Sequence, residues 1–262
     1  MDRRQFNATL MMGSLAGLLA PTVNAQQTAA GTGPAKPVIG MLIYSDMILL
    51  DLVGPLTAFN ILQTDVRLIA QTPEPVSTDV GLTVTPTATF DRASSALDVL
   101  FVPGGLRGTI EAMKDQATID FLKSAGNQAH YVTSVCTGSL LLGAAGLLKG
   151  YNATSHWYVR DLLPLMGATT LKERVVEDRN RITAGGVTAG IDFGLTLAAK
   201  LRGEDAAKRI QLLLEYDPRP PFAAGTPDQA GAALTEDIRH RRGALIREAE
   251  QAARAAGGRL GI

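Results

Sequence analysis

The sequence predicts a single-domain α/β protein in which a mostly parallel sheet is flanked by helices. Short apolar runs rich in β-branched residues alternate with stretches that have one apolar face, and this alternation is typical of βαβ units. The chain of 262 residues is 46% hydrophobic and 19% charged. That composition suits a globular protein with one sizeable core and excludes a disordered or collagen-like chain.

Short apolar runs predict the main elements of the sheet layer. The four runs that predict buried strands are residues 38–44, 66–70, 99–102 and 131–135. The stretches between them that predict helices are residues 52–62, 117–124 and 139–148. Residues 75–90 are rich in Thr and Val around Gly81, which predicts a hairpin or a pair of edge strands beside the main sheet.

The second half of the chain continues the same alternation. Residues 174–177 and 181–183 predict two short strands joined by a turn, and helices are predicted over residues 189–201 and 206–214. Prolines after that point end the last helix, so the folded domain is expected to span residues 37–222. Residues 223–262 predict a helical tail, whose charged and Ala-rich part at 235–256 should pack lightly on the body or on a partner subunit.

Residues 1–30 predict an export signal and leader that is cleaved or disordered. Arg3 and Arg4 precede an apolar stretch and a small-residue cleavage site at Ala25, a pattern typical of a twin-arginine signal. An ordinary secretory signal is the alternative, because Asp2 and Asn7 depart from the twin-arginine pattern. The apolar stretch is shorter than the roughly 20 residues that span a bilayer. We therefore expect a periplasmic protein without a membrane anchor after cleavage.

The charge balance and the few metal-binding side chains narrow the function further. The 25 basic residues equal the 25 acidic residues, so no net field favours nucleic acid or an acidic membrane. One cysteine and three histidines make a metal centre improbable. We expect no metal, no organic cofactor and no nucleic-acid partner.

The single cysteine, Cys136, stands where a predicted strand ends and a predicted helix begins. Small neighbours follow it at Thr137, Gly138 and Ser139, which predicts the strained turn called a nucleophile elbow. The helix N-terminus should lower the pKa of the thiol and increase its thiolate fraction. The alternative interpretation, that Cys136 is a small buried hydrophobic residue, stays open on position alone.

Two further segments supply groups that a nucleophile needs. The strand at residues 99–102 runs into Gly104 and Gly105, and the N–H groups of Gly105 and Thr137 could form an oxyanion-type site, although such a turn alone is usually only a turn. Asp51 begins the first helix in an apolar setting. Desolvation and the like charge of a thiolate should raise the pKa of Asp51 and suit it to proton transfer, and a helix N-cap is an equally good interpretation.

Three motifs together resemble the ThiJ/PfpI superfamily, whose fold is flavodoxin-like and glutamine-amidotransferase-like. They are Val-Pro-Gly-Gly at residues 102–105, Ser-Val-Cys-Thr-Gly at 134–138 and Ala-Thr-Ser-His-Trp at 153–157. Within that superfamily the chain resembles the isonitrile hydratase (isocyanide hydratase) family. The stretches that carry this resemblance are residues 50–55, 132–139, 183–192 and 215–218.

The resemblance implies a cofactor-independent lyase that hydrates an isonitrile to an N-substituted formamide, as a homodimer. It places the nucleophile at Cys136, the acid at Asp51 and the hydroxyl residue beside the nucleophile at Thr137. A cysteine-bound thioimidate is the implied intermediate. Gly104 and His156 are the candidates for supporting roles, and His156 could equally pack beneath the site.

Other functions of the superfamily stay open as alternatives. A periplasmic thiol or electrophile sensor needs only a reactive Cys136. A glyoxalase-like or deglycase-like hydrolase is disfavoured because Thr137 stands where the hydrolytic branches have histidine. The same motifs occur in the sensor domains of AraC-type regulators, but an exported protein would not reach cytoplasmic DNA.

Overall fold

The computed structural model describes residues 36–93 and 97–262, and residues 36–262 form one compact unit. The predicted export signal and its cleavage site at Ala25 lie outside the described residues. Among the described helices, none combines the length and the apolar character needed to cross a bilayer.

The described strands in chain order are β1 (Val38–Leu42), β2 (Asp65–Ala70), β3 (Val76–Ser77), β4 (Thr83–Val84), β5 (Ala88–Thr89), β6 (Val99–Val102), β7 (Tyr131–Val135), β8 (Asn152–Ala153), β9 (Thr169–Thr170), β10 (Val175–Asp178) and β11 (Arg181–Ala184). The described helices are α1 (Leu49–Ile61), α2 (Phe90–Ala93), α3 (Leu106–Lys114), α4 (Gln116–Gln128), α5 (Gly138–Ala144), α6 (Ala189–Arg202), α7 (Glu204–Leu213), α8 (Pro227–Ala230) and α9 (Ala232–Arg259), with a 3₁₀ helix at Arg160–Met166.

One mostly parallel sheet organises the fold, which confirms the predicted class. Within the described part of the chain its order is β10-β11-β7-β6-β1-β2-β5, and only the β10–β11 pair is antiparallel. Helices cover both faces, and all four residues of β6 are buried. A strand covered on both faces has no polar side, which is why the run at residues 99–102 lacks alternation. The residues around Gly81 form the predicted hairpin of β3 and β4.

Two apolar layers hold the sheet between its helices. Helices α1 and α6 pack on one face, where the ring of Phe193 lies 5.5 Å from Phe101 and 6.1 Å from Phe59. Helices α3, α4, α5 and α9 pack on the other face. Helices cover both faces of the sheet, so polar side chains are found where the strands end. The central strands are parallel, and their carboxyl ends therefore lie next to each other.

The predicted light packing of the tail is wrong. Helix α9 buries Ala249, Ala253 and Ala256 in the main apolar layer, beside α3, α5 and the 3₁₀ helix. A Cβ atom added to Gly257 would lie 2.1 Å from the carbonyl oxygen of Leu165. Small residues let the helix axes approach closely, so this interface needs no large apolar side chains. Because residues 235–256 contain few large apolar side chains, their composition does not predict this interface.

Candidate active site

The candidate site forms at the carboxyl ends of β6 and β7, which are neighbours in the sheet. Their parallel register pairs Val102 with Ser134. The Pro103–Gly104 loop after β6 therefore lies beside Cys136, which follows β7 directly. A Cβ atom added to Gly138 would lie 2.3 Å from the carbonyl oxygen of Val102, so only glycine permits this approach. The two loops singled out in the sequence are thus in direct contact.

Cys136 has the geometry of a nucleophile elbow. Its backbone is left-handed, with φ 58°, a strained conformation for a residue with a side chain. The N–H of Cys136 donates to the carbonyl oxygen of Gly185 at 2.7 Å, and its own carbonyl accepts from Ser155 Oγ at 3.0 Å. These bonds from neighbouring segments hold the strained residue in place. The strand-to-helix pattern predicted the strained turn itself.

Asp51 is fully buried and contacts the site directly. It is the third residue of α1, whose N-cap position is occupied by Ile48, so the N-cap interpretation is wrong. Its Oδ2 accepts from the N–H of Gly104 at 2.8 Å, and its carboxyl lies close enough to the Cys136 thiol for the two groups to shift each other's pKa. Burial raises the pKa of Asp51 to about 7, against the opposing effects of the Gly104 and Cys136 hydrogen bonds. The like charge that adds to this increase comes from Asp79.

The predicted lowering of the Cys136 pKa is wrong. Burial raises the pKa of the thiol well above its usual range, and the negative charge of Asp51 raises it further. The N–H groups of Thr137 and Val187 act in the opposite direction but do not outweigh the loss of hydration. Helix α5 has only seven residues, so its dipole opposes this increase in the pKa of the thiol only weakly. The resting pair is therefore a protonated thiol next to a carboxyl that titrates near neutrality.

Val187 is a site residue that the sequence argument did not single out. Its backbone N–H lies against the Cys136 sulfur, just after the Gly185–Gly186 turn that follows β11. Parallel pairing of β11 with β7 brings this turn to the same sheet edge. The glycine pair was the available signal, because such pairs mark close backbone approaches.

Thr137 supports the site through a chain of buried hydroxyl groups. Gly105 N–H donates to Thr137 Oγ1 at 2.8 Å, which lies 2.8 Å from Thr109 Oγ1, and that atom lies 3.0 Å from Tyr44 Oη. Tyr44 donates to the carbonyl oxygen of Pro103 at 2.7 Å. A donor-only N–H begins the chain and an acceptor-only carbonyl ends it, so every hydroxyl must donate in the direction from Thr137 to Tyr44.

Gly105 therefore does not supply the predicted oxyanion donor in this structure, because its N–H is taken by Thr137. Gly104 has a more direct role than the sequence suggested. A Cβ atom there would lie 2.5 Å from the Thr137 nitrogen and 2.8 Å from both Asp51 Oδ2 and Cys136 Cβ. The absence of a side chain at residue 104 is what allows the acid and the nucleophile to meet.

His156 lies beneath the site. Its backbone N–H donates to the Cys136 carbonyl at 3.3 Å, and its ring packs on Tyr158 with 3.8 Å between centroids. Burial, with the positive charges of Arg242 and Arg160, lowers the pKa of His156 to about 4. His156 is thus neutral at physiological pH and supports Cys136 through its backbone. Among the described residues no group of three His, Cys, Asp or Glu side chains has a metal-binding arrangement.

Comparisons with known proteins show which families and folds the chain resembles. Residues 38–200 match a family model described as the DJ-1/PfpI family. The chain is 50% identical to an isonitrile hydratase of Pseudomonas putida over 204 residues, which cover 78% of this chain and 89% of that protein. It is 33% identical over 141 residues to an HTH-type transcriptional regulator, GbdR, of Pseudomonas aeruginosa, covering 52% of this chain and 37% of that protein.

A solved structure extends the match to the whole fold. A crystal structure of a THiJ/PfpI family protein from Pseudomonas syringae aligns with a TM-score of 0.82 and 44% identity. The alignment covers 87% of this chain and 98% of that one.

Proposed function

Because the chain belongs to the DJ-1/PfpI family, we propose that it is an isonitrile hydratase-like lyase that converts an isonitrile to an N-substituted formamide. The observation that carries the proposal is the buried pair formed by Cys136 and Asp51. The pKa of Asp51 is raised to about 7, so this carboxyl can both accept and return a proton at neutral pH. The 50% identity to an isonitrile hydratase supports the substrate class.

The proposed chemistry adds the thiol across the terminal isonitrile carbon. The Asp51 carboxylate takes the thiol proton, the sulfur of Cys136 bonds to the carbon, and Asp51 delivers that proton to the same carbon. The product is a thioimidate, R–N=CH–S–Cys136. The carboxylate of Asp51 then takes a proton from water as the oxygen bonds to the carbon. Cleavage of the C–S bond and return of protons to nitrogen and sulfur release the formamide and the free thiol.

The raised pKa of the Cys136 thiol fits this order of events. A free thiolate is not needed before the substrate arrives, because the proton that leaves sulfur is the one the carbon must gain. A buried and protonated thiol is poorly suited to a peroxide sensor, which needs an accessible thiolate. The site therefore favours the hydratase over the sensor.

The test is formamide formation from cyclohexyl isocyanide by the purified protein. Cys136→Ala should abolish turnover, and Asp51→Asn should lower kcat by at least about 100-fold, as expected for loss of a general acid and base. Asp46→Asn is the matched control, because Asp46 is exposed. The backbone at residue 46 is left-handed, a conformation that asparagine tolerates. Turnover by the Cys136→Ala protein would refute the proposal.

Two further parts of the proposal concern the working form of the enzyme. A homodimer is supported by the exposed apolar side chains of Leu50 at the start of α1 and of Val80 and Leu82 in the β3–β4 hairpin, which contacts that part of the chain through Thr78 and Asp79. Light scattering on a sizing column should give twice the chain mass, and Val80→Glu with Leu82→Glu should shift it to the monomer mass. A monomeric wild-type protein would exclude the dimer.

The proposed location is the periplasm, reached through the twin-arginine-like signal. Replacing Arg3 and Arg4 by lysine should retain the protein in the cytoplasmic fraction. Unchanged periplasmic recovery of this variant would contradict the twin-arginine route and favour the ordinary secretory one.

A further inference from the structure

Tyr44 carries a hydroxyl group that no step of the proposed chemistry uses. The residue lies between β1 and α1, in the segment that leads to Asp51. Its ring packs against both apolar layers, and a Cβ atom added to Gly108 would lie 3.1 Å from the ring. The hydroxyl donates to the carbonyl oxygen of Pro103 at 2.7 Å. A closely packed ring therefore holds a backbone carbonyl in the loop that contacts Asp51.

The Pro103 carbonyl belongs to the same peptide group as the Gly104 N–H. A peptide group is planar, so its C=O and its N–H point in opposite directions and rotate together. Tyr44 holds the carbonyl end of this group, and Asp51 Oδ2 accepts from the N–H end at 2.8 Å. Fixing the direction of the carbonyl therefore also fixes the direction of the N–H that reaches Asp51.

The loop needs such a restraint because residues 104 and 105 are both glycine. Glycine has no Cβ atom, so the peptide groups beside it rotate with little steric hindrance. The segment before α1 also holds the next peptide group, since the N–H of Ile48 donates to the Gly104 carbonyl at 2.8 Å. Tyr44 and Ile48 thus restrain the two peptide groups on either side of Gly104.

The two oxygens of the Asp51 carboxyl have different surroundings. Oδ2 accepts from the Gly104 N–H, whereas Oδ1 is buried and has no hydrogen-bond partner among the described residues. In a protonated carboxyl the hydroxyl oxygen donates and the carbonyl oxygen is the better acceptor. The Gly104 N–H therefore selects Oδ2 as the acceptor and leaves the proton on Oδ1. This unpartnered oxygen suits a proton that must pass between sulfur and substrate.

We propose that Tyr44 is a positioning residue for Asp51, because its hydrogen bond to Pro103 directs the Gly104 N–H to Oδ2 and leaves Oδ1 to carry the reacting proton. The proposal rests on the hydratase function, since it concerns the acid and base of that reaction. Tyr44 acts through the peptide group and transfers no proton itself. Burial raises the pKa of its hydroxyl well above the usual range, so the hydroxyl stays protonated in the tests below.

Removing the Tyr44 hydroxyl should make the Asp51 carboxylate less stable. The Gly104 N–H stabilises that carboxylate, and it should donate less well once its peptide group can rotate and its carbonyl has lost a hydrogen bond. We therefore expect Tyr44→Phe to raise the pKa of Asp51 by about 0.5 pH unit.

The other groups that face Asp51 do not change their charge between the two proteins. They are the thiol of Cys136, the hydroxyl of Tyr158 and the carboxylate of Asp79. Burial raises the pKa of both Cys136 and Tyr158, so these two groups are neutral near pH 7. The negative charge of Asp79 acts on Asp51 in the variant as it does in the wild type.

The first test follows the protonation of Asp51 without substrate. Carbon NMR of protein that carries ¹³C-labelled aspartate observes the side-chain carboxyl, and the Asp51 signal is assigned by its absence in Asp51→Asn. Its titration midpoint should lie at about 7 in the wild type and higher in Tyr44→Phe. Thr133→Val is the matched control, because it removes another hydroxyl that donates to a backbone carbonyl, that of Leu100 at 2.9 Å. An unchanged midpoint in Tyr44→Phe, or an equal rise in the control, would refute the proposal.

The second test measures kcat/KM for cyclohexyl isocyanide as a function of pH. The proposed reaction begins with the carboxylate form of Asp51, so kcat/KM should rise as the pH passes the pKa of that group. In Tyr44→Phe the rise should move to higher pH, which lowers kcat/KM roughly threefold below the midpoint and leaves it near the wild-type value at high pH. An equal loss at every pH would indicate a structural effect only and would refute the positioning role.

A further variant separates the Pro103 bond from the rest of the hydroxyl chain. Thr109→Val cuts the connection between Tyr44 and Thr137 but keeps the bond from Tyr44 to Pro103. Its NMR midpoint should stay at the wild-type value, and a rise equal to that of Tyr44→Phe would refute the role assigned to the Pro103 bond.

The NMR and kinetic tests also separate this proposal from the hydratase function. A higher midpoint in Tyr44→Phe, found in a protein that turns over no isocyanide, would refute the hydratase function and support the effect of Tyr44 on Asp51. Isocyanide turnover with a pH profile that Tyr44→Phe does not move would refute the role of Tyr44 alone.

Discussion

Replacing Asp51 by asparagine should stabilise the protein above neutral pH while it inactivates the enzyme. Burial raises the pKa of this carboxyl from its ordinary value of 3.8 to about 7. Between these two pH values the folded protein holds a proton that the unfolded chain releases. The free energy of unfolding must therefore fall as pH rises through this window. The stabilisation from protonated Asp51 is complete below pH 3.8 and is lost once the pH passes about 7.

The magnitude follows from the two pKa values. At about 1.4 kcal/mol for each tenfold change in proton affinity, ionising Asp51 in the folded protein costs about 4 kcal/mol above pH 7. An asparagine avoids this cost, because its side chain is neutral and its oxygen can still accept from Gly104. The Asp51→Asn protein should equal the wild type in stability near pH 4 and exceed it by up to about 4 kcal/mol at pH 8.

Urea unfolding of both proteins at a series of pH values measures this difference, provided that the slope with urea stays the same. Asp51 also raises the pKa of Cys136, but burial keeps that thiol protonated in both folded proteins up to pH 8, and the remaining titrating groups are common to both proteins and cancel. Asp46→Asn, at an exposed carboxyl, should change the free energy of unfolding by less than about 0.5 kcal/mol at every pH. A difference between Asp51→Asn and the wild type that does not vary with pH would show that the desolvation argument is wrong.

Three other substitutions test the packing that positions the site. Gly104→Ala should abolish turnover because its Cβ atom would displace the acid, the nucleophile or the loop between them, and turnover within twofold of wild type would contradict this. Thr109→Val breaks the buried hydroxyl chain and should lower the free energy of unfolding by about 1–3 kcal/mol, whereas Thr57→Val at an exposed helix position should change it by less than about 0.5 kcal/mol. Gly257→Ala should destabilise the protein by about 1–3 kcal/mol, because its Cβ atom would meet a backbone carbonyl. The adjacent Gly258→Ala should stabilise the protein slightly, because its Cβ atom would meet nothing. Calorimetry that ranks the two variants in the opposite order would refute the close packing of α9.

The sequence determined the fold class and the position of the site through local patterns. The buried run at residues 99–102 and the alternation of strands and helices were enough to predict a parallel sheet. Small residues after Cys136 predicted the elbow, and glycines at 104 and 105 predicted a close backbone approach. These features can be predicted because each restricts the residue types of one short segment. A strand buried on both faces needs apolar residues, and a turn without room for side chains needs small ones.

Tertiary structure alone decided the protonation state of the pair. From its place before a helix Cys136 was expected to have a lowered pKa and a larger thiolate fraction, yet complete burial next to Asp51 makes the neutral thiol the more stable form. Desolvation depends on everything packed around a group, so no local pattern reports it. The direction of the Thr137 hydroxyl chain depends on Tyr44 and Thr109 in the same way.

The packing of helix α9 also depends on contacts that no local sequence pattern reports. Arg239 is one of many charged residues in an Ala-rich helix, and its sequence neighbours do not distinguish it from Arg241. What distinguishes them is the rotation and depth at which α9 packs, since one guanidinium lies over Trp157 and the other pairs with Asp237. That packing depends on contacts between segments far apart in the chain, and the sequence alone does not specify which face of the helix they bury.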